Sequence, residues 1–182
     1  IPLFGCMLAH DGAKHPKKIT GDCFIEYKYD GVRVIAIVQN GDATLYSRNG
    51  KLLENFPHIN EALSRSEFEG LVFDGEVMSE DFQTLMKQVH RKDGKAATDS
   101  VLHLFDFIPL KDFLEGGWDK PQTYRSNLVK YWVLENNDIL KHVTACEWED
   151  VDLSTTKGQN RFVELNKQAV EGGYEGVMIK DI

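Results

Sequence analysis

Apolar residues in this chain fall mostly in short runs, and these runs predict β-strands. The runs are rich in β-branched and aromatic residues, which is typical of strands, and they cover residues 23–29, 31–38, 43–48, 71–77, 101–108 and 175–180. Asn40-Gly41 is a two-residue hairpin signal, and Asn49-Gly50 is a second turn signal. The pattern therefore predicts strands that are joined in several places by tight turns.

Helical spacing of apolar residues predicts four helices between and after these strands. Pro57 opens the first, which runs through Arg65, since proline is tolerated in a first helical turn. In the second, Ser79 or Asp81 is the capping candidate, and the spaced apolar residues are Phe82, Leu85, Met86 and Val89.

The third and fourth predicted helices lie in the second half of the chain. The third, at 123–135, places Leu128 and Trp132 on one face, and the fourth, at 156–171, ends at Gly172-Gly173. In the fourth helix, three apolar residues are predicted to face the core: Phe162, Leu165 and Ala169. This order of elements predicts an α+β fold of mixed, largely antiparallel sheets flanked by helices.

Composition narrows the class of protein. The chain has 182 residues and 42% hydrophobic residues, which suits one large domain or a tight pair of subdomains and excludes a disordered chain. No clear linker, signal peptide or apolar run of membrane-spanning length is visible. Three widely spaced cysteines, Cys6, Cys23 and Cys146, argue against a disulfide framework or zinc site and are typical of reduced thiols in a cytoplasm.

The net charge of −8 disfavours nucleic-acid binding by the surface as a whole. A local basic face can still meet phosphates. The densest basic run comprises Lys87, His90, Arg91, Lys92 and Lys95. This run is either a solvated helix end or a contact to a DNA backbone, and the sequence leaves both interpretations open.

The segment 26–33, EYKYDGVR, concentrates reactive side chains between two predicted strands. Glu26 and Lys28 share a face, since side chains alternate along a strand. Partial desolvation of Lys28 would favour its neutral, nucleophilic form. Gly31 allows an unusual backbone angle or a close approach, and Arg33 offers a planar fork of donors for phosphate or ribose. The alternative is an ordinary hairpin with surface charges.

Further charges interrupt apolar strands. Asp74-Gly75-Glu76, Asp106, Glu175 and Lys180 all lie in such runs. Each alone could be an edge-strand charge or half of a structural ion pair, because carboxylates are rarely buried without a partner. Together they indicate a site for metal-assisted phosphoryl transfer.

These segments resemble the motifs of the covalent nucleotidyltransferases, which comprise ATP-dependent DNA ligases, RNA ligases and mRNA capping enzymes. EYKYDGVR resembles K-x-D-G-x-R, and the remaining motifs follow in the family's order: SRNG at 47–50, FDGEV at 73–77, LFDF at 104–107 and EGVMIK at 175–180. The set is most similar to ATP-dependent DNA ligases of the short viral and bacterial kind. RNA ligase and capping guanylyltransferase remain alternatives, and an OB-fold domain downstream would distinguish a DNA ligase from them.

The resemblance implies an ATP-grasp-like nucleotidyltransferase fold and a reaction through a covalent lysyl-AMP on Lys28. ATP is the cosubstrate, Mg2+ the metal and nicked duplex DNA the partner. The implied protein is a monomer that does not bind membranes, acting in replication, repair or recombination in the cytoplasm of a bacterium or virus-infected cell.

The resemblance also implies roles for eight other residues. Those that handle the nucleotide are Glu26 at the adenine edge, Arg33 and Arg48 at ribose or phosphate, Phe105 stacked on adenine, with Phe107 as its same-face substitute, and Lys180 near the α-phosphate. Asp30 orients the nucleophile or its metal waters. Glu76 holds the ribose hydroxyls or a magnesium-bound water, and Glu175 binds the metal.

In this family, a further motif with lysines follows the position of Asp181. We therefore expect residues 1–182 to be the adenylation domain of a larger enzyme, without that motif or the OB-fold domain. A fragment ending at Ile182 is expected to bind nucleotide weakly, to adenylate itself slowly and to seal nicks poorly.

Overall fold

The computed structural model describes residues 21–29, 31–78 and 100–181. These residues divide into two compact units. The first unit contains residues 31–78, 100–120 and 125–145, and the second contains 21–29, 121–124 and 146–181. Asp30, the predicted helix around 82–89 and the basic run from Lys87 to Lys95 lie outside the described residues. The assignment of the whole chain as one adenylation domain stays a prediction.

The first unit is built on a five-stranded sheet in the order β3-β2-β4-β5-β6. All neighbouring strands are antiparallel except β5 and β6, which are parallel. The mixed, largely antiparallel sheet predicted from the sequence is therefore confirmed. The strands are β2 (Val32–Gln39), β3 (Asp42–Tyr46), β4 (Leu71–Met78), β5 (Val101–Pro109) and β6 (Val143–Ala145).

A tight turn connects β2 and β3, as the Asn40-Gly41 signal predicts. Both residues have positive φ, 56° for Asn40 and 77° for Gly41, which this kind of hairpin turn requires. The Glu69 carboxylate accepts hydrogen bonds from both backbone amides, at 2.9 and 2.8 Å. The turn is thus fixed by its own backbone and by a side chain from another loop.

Three of the four helices in the described residues begin and end close to their predicted bounds. The helices are α1 (Pro57–Leu63), α2 (Leu110–Leu114), α3 (Gln122–Glu135) and α4 (Thr156–Glu171), with a 3-10 turn at Ser66–Phe68. Helix α1 ends two residues before the predicted Arg65, and α2 was not predicted. As expected, Leu128 and Trp132 of α3 pack against the core of the first unit.

One face of β2 forms the centre of that core. Val34, Ala36 and Val38 are fully buried, and they lie in one cluster with Leu102 and Leu104 of β5. The alternate residues of β2 point to the other face of the sheet. That second face begins with Arg33 and bears Asp74 and Glu76, which lie opposite Ile35 and Arg33 in the β2–β4 register.

The second unit is a three-stranded antiparallel sheet in the order β7-β1-β8. Its strands are β1 (Asp22–Lys28), β7 (Trp148–Asp152) and β8 (Gly176–Asp181). Leu165 and Ala169 of α4 are buried and Phe162 packs on the same core, as predicted.

Helix α4 begins in close contact with the end of β7. The Thr155 hydroxyl caps the helix by accepting the Gly158 amide at 3.0 Å. Gly158 is buried, and a Cβ atom at this position would overlap the carbonyl oxygen of Asp152. Only glycine lets the first helical turn approach the strand this closely.

Among the described residues, no helix is long and apolar enough to cross a membrane.

Candidate functional site

The two faces of β1 have different chemistry. Cys23 and Ile25 point into the core of the second unit. Glu26 and Lys28 alternate with them and lie on the opposite face, as the strand period predicts. Lys28 is the last residue of this central strand, and its side chain is half exposed.

Lys28 forms an ion pair with Glu175. Its Nζ lies 3.2 Å from Glu175 Oε2, and both side chains are 47% exposed. The Glu175 amide also donates a hydrogen bond to the Lys28 carbonyl at 3.2 Å. The lysine is therefore half exposed, and its amine has a carboxylate within reach.

Glu26 and Lys180 form a second ion pair on the same face of the sheet. Lys180 Nζ lies 3.1 Å from Glu26 Oε1, and the two side chains are 18% and 2% exposed. A carboxylate this deeply buried requires such a partner. The structure thus brings together the residue predicted at the adenine edge and one predicted near the α-phosphate. Their separate roles toward a nucleotide stay predictions.

In the first unit, Arg33 is fixed by two partners. Its guanidinium makes a bidentate pair with Asp74, with both donor–acceptor distances 2.6 Å, and lies 4.7 Å from the centre of the Phe105 ring. Glu76 lies directly opposite Arg33 in the β2–β4 register. Arg33 is thus the centre of a cluster on one face of the sheet, which also contains Asp74, Glu76 and Phe105.

The prediction that Phe107 shares a face with Phe105 is wrong. The β4–β5 register pairs Asp74 with Asp106 but Gly75 with Leu104, so β5 contains one extra residue at this point. Such a bulge reverses the alternation of side chains. Phe107 packs in the core against Phe73 and Trp132, with ring centres 6.1 Å away in both cases.

Asp106 is half of a structural ion pair, one of the two alternatives that the sequence left open. The side chain is 5% exposed and is bonded to Arg125 of α3, whose Nε also donates to the Lys120 carbonyl at 3.1 Å. The pair ties β5 to α3 within the first unit.

His103 was missed by sequence reasoning. It lies opposite Glu76 in the β4–β5 register. Burial lowers its pKa from 6.5 to about 4, so the imidazole is neutral at pH 7. In the sequence, His103 could have been identified as the single polar residue inside the apolar run VLHLF.

The depressed pKa of His103 predicts a pH-dependent free energy of unfolding. Between about 6.5 and about 4, the unfolded imidazole takes up a proton that the folded one does not. Stability should therefore fall as pH falls through this window, by up to about 3 kcal/mol. Urea denaturation in metal-free buffer at several pH values measures this loss. His103→Gln should remove most of it, and an identical pH dependence in both proteins would contradict the prediction.

Two of the remaining predicted residues can be placed. Arg48 lies after β3 in an exposed turn, where the Gly50 amide donates to the Ser47 carbonyl at 2.9 Å.

Gly31 lies where two backbone segments come close together. A Cβ atom at Gly31 would overlap the carbonyl oxygen of Val77. The glycine of K-x-D-G-x-R is therefore required for close approach of two backbone segments.

No cluster of three or more His, Cys, Asp or Glu side chains suited to a metal occurs within 21–29, 31–78 and 100–181. This finding does not conflict with magnesium, which keeps several waters and binds through one or two carboxylates together with substrate phosphates. Glu175, with a half-exposed carboxylate, has the chemistry of such a ligand.

Comparison with known proteins identifies relatives of nearly the whole chain. A family model described as "ATP dependent DNA ligase domain" matches residues 6–182. DNA ligase 2 of Thermofilum pendens is 28% identical over 199 aligned positions, which cover 100% of this chain and 30% of that protein.

Solved structures agree with this match. The structure named Pmar-Lig_PreS3 is 56% identical with a TM-score of 0.94, and the match covers 100% of this chain and 43% of that one. The ATP-dependent DNA ligase from bacteriophage T7 in complex with ATP is 21% identical with a TM-score of 0.64, covering 97% of this chain and 62% of that one. The latter similarity shows the fold alone.

Proposed function

Because the chain belongs to the ATP-dependent DNA ligase domain family, we propose that it is the adenylating core of a DNA ligase, with Lys28 as the residue that carries AMP. The chain spans 30% of the Thermofilum protein and 43% of the Pmar-Lig_PreS3 chain. The observation that supports the assignment most directly is the Lys28–Glu175 pair at the end of β1.

The first chemical step is attack by Lys28 Nζ on the α-phosphorus of ATP. A P–N bond forms, the bond from the α-phosphorus to the bridging oxygen breaks, and pyrophosphate leaves. The ammonium must first lose a proton, and the Glu175 carboxylate at 3.2 Å is an acceptor within reach. The product is a lysyl-AMP phosphoramidate.

The next two steps use nicked duplex DNA. A 5′-phosphate oxygen attacks the AMP phosphorus, which breaks the P–N bond and returns Lys28 to its free form. The 3′-hydroxyl then attacks the DNA 5′-phosphate, and AMP leaves as the strand is sealed. Such transfers depend chiefly on positioning and on charge stabilisation.

Roles for the other residues are proposed from the motif resemblance. Arg33, whose Nε and Nη2 donate to Asp74, and Arg48 are proposed to contact ribose or phosphate. Glu26 and Lys180 are proposed to contact the nucleotide on the β1 face, and Asp30 stays a prediction from the motif. Glu175 and Glu76 are each proposed as a magnesium ligand, and magnesium when bound would supply charge neutralisation at phosphate oxygens.

The proposed adduct can be measured directly. After incubation with ATP and magnesium, intact mass should increase by one AMP moiety, and peptide mapping should locate it at Lys28. A parallel incubation with GTP distinguishes a capping guanylyltransferase. An adduct formed only with GTP, or AMP on another residue, would contradict the assignment.

Strand sealing requires a second assay. Nicked duplex DNA, nicked RNA and singly nicked hybrids are incubated with ATP, magnesium and the natural full-length protein, and products are separated on a denaturing gel. Preferential sealing of the DNA nick is expected. Preferential sealing of RNA would favour the RNA ligase alternative.

Adenine recognition by Phe105 gives a further prediction. Arg33 covers one face of the ring at 4.7 Å, so adenine is proposed to stack on the other face. Loss of one stacking ring is worth about 1–3 kcal/mol, so Phe105→Ala should weaken ATP binding roughly 5- to 150-fold. Calorimetric titration measures the affinity.

Phe107→Leu is the matched control for Phe105→Ala. It alters the core beside Phe73 and Trp132, so it should lower thermal stability but leave the ATP affinity of the folded protein unchanged. Full ATP affinity in Phe105→Ala would assign that ring a packing role only.

A further inference from the structure

Three tyrosines cluster on the two polypeptide segments of the second unit that carry Lys28 and Glu175. The Tyr174 ring lies 5.0 Å from that of Tyr27 and meets the Tyr29 ring edge-on at 5.1 Å. Tyr27 and Tyr29 flank Lys28 in the chain, and Tyr174 immediately precedes Glu175. The cluster therefore joins the backbone on both sides of the nucleophile to the backbone of its carboxylate partner.

Tyr29 anchors this cluster. Its side chain is buried, and its hydroxyl accepts a hydrogen bond from the Glu147 amide at 3.1 Å. Burial raises the pKa of the Tyr29 phenol well above its usual value, so the phenol stays neutral. A buried, hydrogen-bonded ring has few alternative rotamers, and it offers Tyr174 a rigid surface.

The antiparallel ladder between β1 and β8 ends at the pair Lys28 and Gly176. Beyond that pair, Glu175 is joined to Lys28 by a backbone hydrogen bond at 3.2 Å and by an ion pair whose two side chains are each 47% exposed. Ion pairs exposed to this extent contribute little and do not fix a geometry. Aromatic pairs with edge-on or tilted rings have a preferred geometry and can supply the missing constraint.

We infer that Tyr174 is a positioning residue for the nucleophile, acting through Tyr27 and Tyr29 to hold the end of β1 against Glu175. This inference rests on the proposed function, because it concerns how well Lys28 is placed to attack the α-phosphate. Reaction rates depend steeply on such placement, and a displacement of about 1 Å can cost roughly 100-fold.

The test uses the natural full-length protein and measures two quantities: the single-turnover rate of lysyl-AMP formation and the affinity for ATP. Tyr174→Leu should slow adenylation about 10- to 100-fold. Its ATP affinity should stay within about twofold of wild type, since Tyr174 acts through the nucleophile. Tyr174→Phe keeps the ring and should restore the rate to within about threefold.

Phe162→Leu controls for loss of stability. Phe162 is a residue of α4 that packs against the apolar core of the same unit, which contains Val151, Leu153 and Leu165. At a temperature where both variants are fully folded, Phe162→Leu should adenylate at the wild-type rate. An equal loss of rate in Phe162→Leu, or failure of Tyr174→Phe to restore the rate, would overturn the inference.

Failure of the inference and failure of the proposed function have different signatures. If wild type carries AMP on Lys28 and folded Tyr174→Leu reacts at the same rate, only the positioning role is wrong. If wild type forms no adduct on Lys28, both are wrong. A slow Tyr174→Leu with normal ATP affinity and a rescued Tyr174→Phe supports both.

Discussion

Replacing Lys28 with alanine is expected to abolish covalent labelling of the protein by ATP carrying a radioactive α-phosphate. The amine of Lys28 supplies the nitrogen of the proposed P–N bond. Alanine at this position therefore leaves the proposed site without its nucleophile. The fold should persist, because the Lys28 side chain is half exposed and contributes little to the core. Circular dichroism and a thermal unfolding curve measure whether it does.

Two further lysine variants sharpen this test. Lys28→Arg keeps the charge beside Glu175 but should also fail, since a guanidinium is not deprotonated in proteins. Lys167→Ala removes a lysine of α4 that likewise has a carboxylate neighbour, Glu171 at 3.9 Å, and it should label normally. Undiminished labelling of folded Lys28→Ala would end the assignment of the nucleophile.

Replacing Asp106 with alanine is expected to lower the free energy of unfolding by about 3–5 kcal/mol. The variant leaves the Arg125 guanidinium largely buried, at 13% exposure, without the carboxylate that compensates its charge. The loss should appear in urea denaturation as a lower midpoint with little change in slope. Nucleotide binding by the folded fraction should persist, because the pair connects β5 to α3 rather than to a ligand.

The control is the exposed ion pair between Arg65 and Glu67, whose side chains are 37% and 58% exposed. Glu67→Ala should have no measurable effect on the denaturation midpoint, since solvent screens such pairs. The double variant Asp106→Leu/Arg125→Met should recover part of the stability lost in Asp106→Ala. Equal stability of wild type and Asp106→Ala would show that the pair contributes nothing.

The fold could be predicted where the chain has long periodic segments. Helix α4 begins at Thr156 and ends at Glu171, as predicted, because its apolar period and the following glycines are both strong signals. The short elements could not be predicted in this way. Strand β6 has three residues and α2 has five, which is too short to show a period. Their structure depends on pairing and packing with distant parts of the chain.

The candidate site was predictable in its residue types but only in part in its geometry. Strand alternation placed Glu26 and Lys28 on one face correctly. The same rule failed for Phe105 and Phe107, because a β-bulge depends on register with a neighbouring strand and leaves no local signal. The pairing of Lys180 with Glu26, 154 positions away, was likewise beyond sequence periodicity.

Gly158 has a consequence for how this region tolerates substitution. Helix propensity alone would favour almost any other residue over glycine by up to about 1 kcal/mol. The overlap of a Cβ atom with the Asp152 carbonyl opposes that preference. A saturation library should therefore accept only glycine at 158, while its exposed neighbours Lys157 and Gln159 accept most residues. In such a library, position 158 alone would be intolerant of substitution within a first helical turn that otherwise tolerates it, and the cause would be a backbone contact rather than a side-chain contact.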